Sequence, residues 1–120
     1  MSTILVADDD AIVRKIVAPI LERSGFTVLV AADGTAAMEC ARRHESVIEV
    51  LVSDVEIPGL SGIELAARLS ESRPDIKVLL ISTTANVPTD LRNGWRFLRK
   101  PFPPAVLLEN LTELTTPVAK

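Results

Sequence analysis

Three consecutive aspartates and a fourth one further along the chain are the residues whose chemistry stands out. Asp8, Asp9 and Asp10 directly follow an apolar run of strand length, and Asp54 comes two residues after another. If the two runs form neighbouring parallel strands, these carboxylates meet at one edge of the sheet, where each pair repels by about 1–4 kcal/mol. A cation offsets that repulsion, and ligands that are all oxygen suit Mg²⁺. The pattern therefore predicts a magnesium site.

Asp8–Asp10 also have a simpler explanation, as caps of the helix that follows them. A carboxylate just before a helix accepts hydrogen bonds from the free N–H groups and is favoured by the positive end of the helix dipole. Asp10 is the strongest candidate for a cap alone. For Asp8 and Asp9 the spacing leaves both explanations open.

Ser82 and Lys100 come just after two further apolar runs. A lysine at the same edge of the sheet can reach an anion held there, although a single lysine also fits an ordinary solvated surface. The hydroxyl of Ser82, or that of Thr83, can bond the same anion, or it can satisfy the backbone of its own loop. These residues extend the acidic group with side chains suited to an anion.

Five apolar runs of strand length must position these side chains. Several are apolar at consecutive residues, which is typical of parallel strands that are covered on both faces. The runs are Ile4–Ala7, Phe26–Ala31, Val50–Val52, Val78–Ile81 and Trp95–Leu98.

Segments with helical spacing alternate with these runs, which predicts an α/β fold with a doubly wound parallel sheet and helices on both of its faces. If the strand order is 2-1-3-4-5, the first and third strands are neighbours and their aspartates meet where the order reverses. The predicted helices cover residues 11–24, residues 34–44, a segment with Ser61 and Glu64 as its capping box, and a last segment opened by Pro103 and Pro104.

The link between the fourth and fifth runs is unusually short. Residues 83–94 barely suffice for a crossover with its helix, and Pro88 and Gly94 interrupt them. The sequence therefore predicts that the helix between the fourth and fifth strands is short or absent.

The composition excludes several classes of protein. A chain of 120 residues is expected to be one domain, residues 1–120 with a core of about 3–114. Its net charge of −3 argues against nucleic-acid binding, and its apolar runs are far shorter than the roughly 18 residues of a membrane span. The single cysteine, Cys40, fits a reducing compartment. With no signal peptide recognised, we expect a cytoplasmic protein.

Four blocks of the sequence resemble the signature blocks of response-regulator receiver domains of two-component signalling, in particular the single-domain, chemotaxis-regulator-like ones. The resemblance runs in order from about Thr3 to Leu114. Receiver domains have the flavodoxin-like fold, in agreement with the spacing of the runs. The blocks are Ile4–Asp10, Asp54–Gly62, Val78–Ser82 and Phe97–Phe102.

The resemblance implies that Asp54 is a phosphoacceptor, which takes a phosphoryl group from a histidine kinase or a phosphotransfer protein. It further implies that Asp9 and Asp54 bind Mg²⁺ directly, that Asp8 binds it through water, and that Glu56 binds it through its backbone carbonyl. Such a domain catalyses only its own phosphorylation and dephosphorylation and is otherwise not an enzyme.

The resemblance also implies how the phosphoryl group would be read. Lys100 would pair with a phosphoryl oxygen, Ser82 (or its rival Thr83) would swing toward the phosphate, and Phe97 would rotate inward as a coupled switch. The Lys100–Pro101 peptide would be cis. The switched surface would then bind an output protein that the sequence does not identify.

Three other interpretations remain open at this stage. One is a receiver-like interaction module that signals without phosphorylation. Another is a small flavin-binding redox protein of the same topology, although the Asp8–Asp10 loop would repel its phosphate. The third is a metal-dependent phosphohydrolase, for which the sequence offers no obvious general acid.

Overall fold

A computed structural model describes residues 2–82 and 95–116, in which five parallel strands form one sheet of order β2-β1-β3-β4-β5. This confirms the predicted doubly wound order. The strands are β1 (Thr3–Ala7), β2 (Thr27–Ala31), β3 (Val50–Asp54), β4 (Lys77–Ser82) and β5 (Trp95–Arg99).

Helices cover both faces of the sheet. None of the described helices has the length and apolar character that crossing a bilayer requires. The prediction of a short or absent helix between β4 and β5 falls on residues 83–94 and lies outside the described residues. The helices are α1 (Ala11–Arg23), α2 (Gly34–Arg43), α3 (Gly62–Ser72) and α4 (Pro104–Thr115).

Short polar side chains start the first three helices. The carboxylate of Asp10 accepts from the Ile12 N–H at 2.9 Å, which confirms Asp10 as a cap. Asp33 caps α2, and Ser61 caps α3 by accepting from the Glu64 N–H at 3.2 Å. All of these helices begin where the strands end, at what we call the carboxyl edge of the sheet, and they finish at the opposite, amino edge.

Alternate strand residues fill two separate cores. In β1, Leu5 faces the core under α2 and α3, whereas Ile4 faces the core under α1 and α4. On α1 the stripe of Val17 and Leu21 is buried, and Ile16 on the adjacent stripe is 55% exposed. Both faces of the central strands are thus covered, as their consecutive apolar residues predict.

The register between β1 and β3 brings the aspartates together. Ala7 pairs with Ser53, so Asp8 and Asp54 are the next residues on two adjacent strands. Asp54 in turn pairs with Ile81 of β4. Because parallel strands end at the same edge, side chains that are 46 positions apart in sequence become neighbours.

Candidate functional site

Three carboxylates converge at the carboxyl edge of the sheet. Asp8, Asp9 and Asp54 each present an oxygen atom, and these atoms all lie within 4.8 Å of one another. Asp8 is buried, Asp54 is half-buried and Asp9 is exposed. The group is therefore open to solvent on the side of Asp9 and closed on the side of Asp8.

Hydrogen bonds fix the short loop between β1 and α1. The Asp8 N–H donates to the Ala31 carbonyl at 3.1 Å, which extends the pairing with β2. The Asp8 carboxylate accepts from the Asp10 N–H at 2.9 Å, and the Asp8 carbonyl accepts from Arg14 Nη1 at 2.5 Å. The Asp9 carboxylate accepts no hydrogen bond from the part of the chain that the structure describes.

Asp54 is oriented by the loop that follows it. Its Oδ1 accepts from the backbone N–H of Glu56 at 3.0 Å. A Cβ atom on Gly62 would lie 2.2 Å from the Asp54 carbonyl oxygen, so only glycine permits α3 to begin this close to the end of β3. The loop also contacts α2, where the Gly34 N–H donates to the Pro58 carbonyl at 3.0 Å.

Lys100 lies between two of the carboxylates. Its Nζ is 2.9 Å from Asp54 Oδ2 and 3.0 Å from Asp8 Oδ2, and only 17% of its side chain is exposed. Burial by itself lowers the pKa of Lys100, but hydrogen bonds and charge attraction from Asp54 and Asp8 outweigh that effect and raise the pKa above its ordinary value. The ammonium is therefore positively charged at neutral pH. The peptide bond between Lys100 and Pro101 is cis, as the resemblance implies.

The oxygen atoms of this group fit a magnesium ion. Mg²⁺ binds oxygens at about 2.1 Å in an octahedron, so that opposite ligands lie about 4.2 Å apart. The observed separations of up to 4.8 Å need only small side-chain rotations, or one intervening water, to reach that size. Three carboxylates beside one ammonium also leave an excess of negative charge that a divalent cation offsets.

The remaining predicted residues lie around this group. Ser82 is buried at the end of β4, one residue beyond the partner of Asp54 in the sheet. Phe97 lies half-buried on β5 beside Leu80, on the side of α2 and α3. Thr83, the rival of Ser82, lies outside the described residues.

Arg14 is the site residue that the sequence interpretation missed. It stands in the first turn of α1, where long side chains point back toward the start of the helix. An arginine four residues after Asp10 was therefore a usable signal, because such a side chain reaches the loop that carries the aspartates.

Comparison with known proteins connects this site with one family. A family model described as the response regulator receiver domain matches residues 4–112. The response regulator receiver protein CpdR of Brucella abortus (strain 2308) is 35% identical over 106 residues, which is 85% of this chain and 87% of CpdR. The sensor kinase CckA of the same organism is 35% identical over 107 residues, which is 84% of this chain but 11% of CckA.

A solved structure agrees with these matches. The receiver domain from the hybrid histidine kinase CckA has a TM-score of 0.84 and 30% identity, and the alignment covers 96% of this chain and 100% of that domain. The likeness therefore includes the whole sheet and the helices on both of its faces.

Proposed function

The chain belongs to the response-regulator receiver domain family, and on that premise we propose that Asp54 accepts a phosphoryl group from the phosphohistidine of a histidine kinase or phosphotransfer protein. One observation carries the proposal: the Lys100 ammonium contacts both Asp54 and Asp8 at 2.9 and 3.0 Å, beside the group of three carboxylates. An anion attached to Asp54 would therefore form next to a cation that is already in place.

In the proposed transfer, the Asp54 carboxylate attacks phosphorus. A P–O bond forms while the P–N bond to the donor histidine breaks, and the electron pair of that bond stays on the nitrogen. The other ring nitrogen of the phosphohistidine carries a proton, so the histidine leaves as neutral imidazole. The Glu56 N–H, 3.0 Å from Asp54 Oδ1, orients the attacking carboxylate. Bound Mg²⁺ would offset the charge of the phosphoryl oxygens as they approach.

For the metal we propose Asp9 and Asp54 as direct ligands, Asp8 as a ligand through water, and the backbone carbonyl of Glu56. Asp9 is exposed and has no hydrogen bond to the described residues that would compete with a metal. Asp8 is only 2% exposed, and its two oxygens already accept from Asp10 and Lys100. This difference supports a closer approach of the metal to Asp9 than to Asp8.

After transfer, Lys100 would pair with a phosphoryl oxygen, because the new group carries more negative charge than the carboxylate it replaces. Ser82, buried at the end of the neighbouring strand, is the proposed hydroxyl partner of the phosphate. Phe97 on the adjacent strand β5 is the proposed switch that passes the change to an output protein.

The chain is proposed to act as a regulator that catalyses only its own phosphorylation and dephosphorylation, as one domain of residues 1–120 with a core of about 3–114. The family match over residues 4–112 supports these bounds. We propose a cytoplasmic location, where histidine kinases present their phosphohistidine.

Phosphorylation with a small-molecule phosphodonor and Mg²⁺ tests the acceptor directly. The wild-type chain is expected to gain one phosphoryl group that hydroxylamine removes, and Asp54→Asn is expected to gain none. Asp10→Asn is the matched control, because asparagine caps a helix as well as aspartate does. Undiminished label on Asp54→Asn would show that Asp54 is not the acceptor, and an unlabelled wild-type chain would favour the module that signals without phosphorylation.

Titration with Mg²⁺ tests the ligands without any phosphorylation. The wild-type chain is expected to bind Mg²⁺ at millimolar concentrations in calorimetry, and Asp9→Ala is expected to lose that binding. Asp10→Asn again serves as the control, since its side chain caps α1. If Asp9→Ala binds Mg²⁺ as tightly as the wild type, Asp9 is not a ligand.

A further inference from the structure

We propose that Arg14 is a positioning residue, which fixes the peptide between Asp8 and Asp9 so that both carboxylates face the metal. The inference rests on the proposed function, since it concerns the same magnesium site. It assigns a task to a side chain that touches neither the metal position nor Asp54 through any hydrogen bond in the described residues.

Arg14 binds both ends of the loop that carries the aspartates. Its backbone N–H donates to the Asp10 carbonyl at 3.1 Å, which is the first hydrogen bond of α1. Its Nη1 donates to the Asp8 carbonyl at 2.5 Å, and the charge of the guanidinium strengthens this hydrogen bond. The three-residue loop is therefore tied to the helix at its last residue and, through the side chain, at its first.

The Asp8 carbonyl belongs to the peptide group that joins Asp8 to Asp9. Because a peptide group is planar, holding its oxygen atom fixes the direction in which the chain leaves toward Asp9. The carboxylate of Asp9 has no hydrogen bond to the described residues, so the backbone and the side-chain rotamers that it allows set its direction. Asp8 is also held by hydrogen bonds with Ala31, Asp10 and Lys100, whereas Asp9 has no such hydrogen bond within residues 2–82 and 95–116.

The charge of Arg14 and its hydrogen bond have opposite effects on the affinity for Mg²⁺. A guanidinium near the carboxylates repels Mg²⁺, so removal of the charge alone would tighten metal binding. Loss of the hydrogen bond to the Asp8 carbonyl would weaken metal binding, because the loop must then be ordered by the metal itself. The two effects differ in sign, so a measurement of affinity separates them.

The experiment compares Arg14→Met, which removes charge and hydrogen bond, with Arg14→Lys, which keeps the charge but not the planar guanidinium fork. Lys15→Met is the matched control, because Lys15 is the exposed neighbour on the same helix. Calorimetry is expected to show Mg²⁺ affinity reduced about tenfold in Arg14→Met and by a smaller factor in Arg14→Lys. Lys15→Met is expected to bind as tightly as the wild type or slightly more tightly.

Two further readouts separate positioning from general stability. In metal-free protein, the amide of Asp10, which donates to the Asp8 carboxylate, is expected to exchange faster in Arg14→Met, whereas the amides of β3 keep their protection. In the phosphorylation assay, more Mg²⁺ is expected to be needed for half-maximal rate, while the rate at saturating Mg²⁺ returns to the wild-type value. Urea unfolding without metal checks that each variant folds, and Arg14→Lys is the variant to use if Arg14→Met does not.

If Arg14→Met binds Mg²⁺ as tightly as Lys15→Met does, or more tightly, Arg14 is not a positioning residue. An unchanged Mg²⁺ requirement with a lower rate at saturation would overturn it too. If the wild-type chain binds Mg²⁺ and labels on Asp54 in the same assays, only the role of Arg14 fails. If the wild type does neither, the proposed function fails together with it.

Discussion

Two cationic side chains stabilise opposite edges of the sheet, and they do so with different partners. At the carboxyl edge, Lys100 contacts the carboxylates of Asp8 and Asp54. At the amino edge, Arg73 donates only to backbone carbonyls, those of Ala41 and Ser46 at 2.9 Å and that of His44 at 2.6 Å. One cation therefore meets charged groups and the other meets neutral ones.

At the amino edge a guanidinium is hydrogen-bonded to uncharged acceptors. Carbonyls in the last turn of a helix have no partner within that helix, and Arg73, the residue just after α3, donates to the carbonyl of Ala41 in α2 and to that of His44, which caps α2. The contact joins the ends of two helices that pack side by side under the same core. The contact contains no carboxylates that repel one another, so it has no repulsion for a metal cation to relieve.

At the carboxyl edge, by contrast, the charges do not balance. Lys100 offsets one negative charge, whereas three carboxylates lie within 4.8 Å of one another. The remaining repulsion is reduced by the exposure of Asp9 to water, and a bound cation would reduce it further. A cation bonded to uncharged carbonyls therefore stabilises the fold without a ligand, whereas a cluster of like charges leaves a repulsion that a bound cation would reduce.

The largest difference in stability between the two edges is expected when a glycine at each edge is replaced by alanine. In Gly62→Ala the new Cβ would lie 2.2 Å from the Asp54 carbonyl oxygen, and backbone must move to accept it. We expect a loss of about 3 kcal/mol in the free energy of unfolding, measured with urea. Gly25→Ala at the amino edge meets nothing within 4 Å and carries only the strain of its φ of +96°, at about 1 kcal/mol. Equal losses at both positions would mean that the contact under Asp54 is not tight.

Arg73→Met tests the hydrogen bonds at the amino edge. Three carbonyls lose a charged donor, so the free energy of unfolding is expected to fall by about 2–3 kcal/mol. The loss is expected to be the same with and without Mg²⁺, because no carboxylate takes part. Arg68→Met is the control, since its exposed pair with Glu64 is expected to contribute less than about 0.5 kcal/mol. A loss that depends on Mg²⁺ would contradict the comparison.

Lys100→Met tests the ion pairs at the carboxyl edge. The loss in the free energy of unfolding that it causes is expected to depend on Mg²⁺. Without Mg²⁺ the carboxylates of Asp8 and Asp54 lose their countercharge, and unfolding becomes easier by about 2 kcal/mol, between the values of exposed and buried pairs. With saturating Mg²⁺ the loss is expected to shrink, since the ion supplies positive charge. Lys77→Met, an exposed lysine at the start of β4, controls for the change in net charge. An equal loss with and without the metal would remove the distinction between the edges.

The smallest expected effect is on pH dependence. The pKa of Lys100 is raised in the folded chain, so its ion pairs stabilise fully below the ordinary lysine pKa of about 10.4 and lose that contribution as pH rises through the folded value. The stability difference between wild type and Lys100→Met, followed by metal-free urea unfolding, is expected to narrow between pH 9 and pH 11 by less than about 1 kcal/mol. The difference for Arg73→Met is expected to stay constant over that range, because a guanidinium does not titrate there. A Lys100 difference that also stays constant would contradict the assigned cause.

The amino-acid sequence by itself determined the elements and most of the residues of the site. The five strands lie within a residue or two of the apolar runs, and Asp10 and Ser61 cap the helices that their types predict. Caps and periodicities are local, because they depend on residues within one turn or one strand. The resemblance to receiver domains then pointed to Asp54 and Lys100.

Only the tertiary structure decided which groups meet. The helical spacing of α1 offered two apolar stripes, and packing on the sheet buried Val17 and left Ile16 exposed. Lys100 reaches Asp8 across 92 positions of sequence, and Arg73 reaches Ser46 across 27. Such contacts follow from strand order and register, which no local pattern contains. The physical reason is that a charge selects its partner by distance in space, and the fold alone sets that distance.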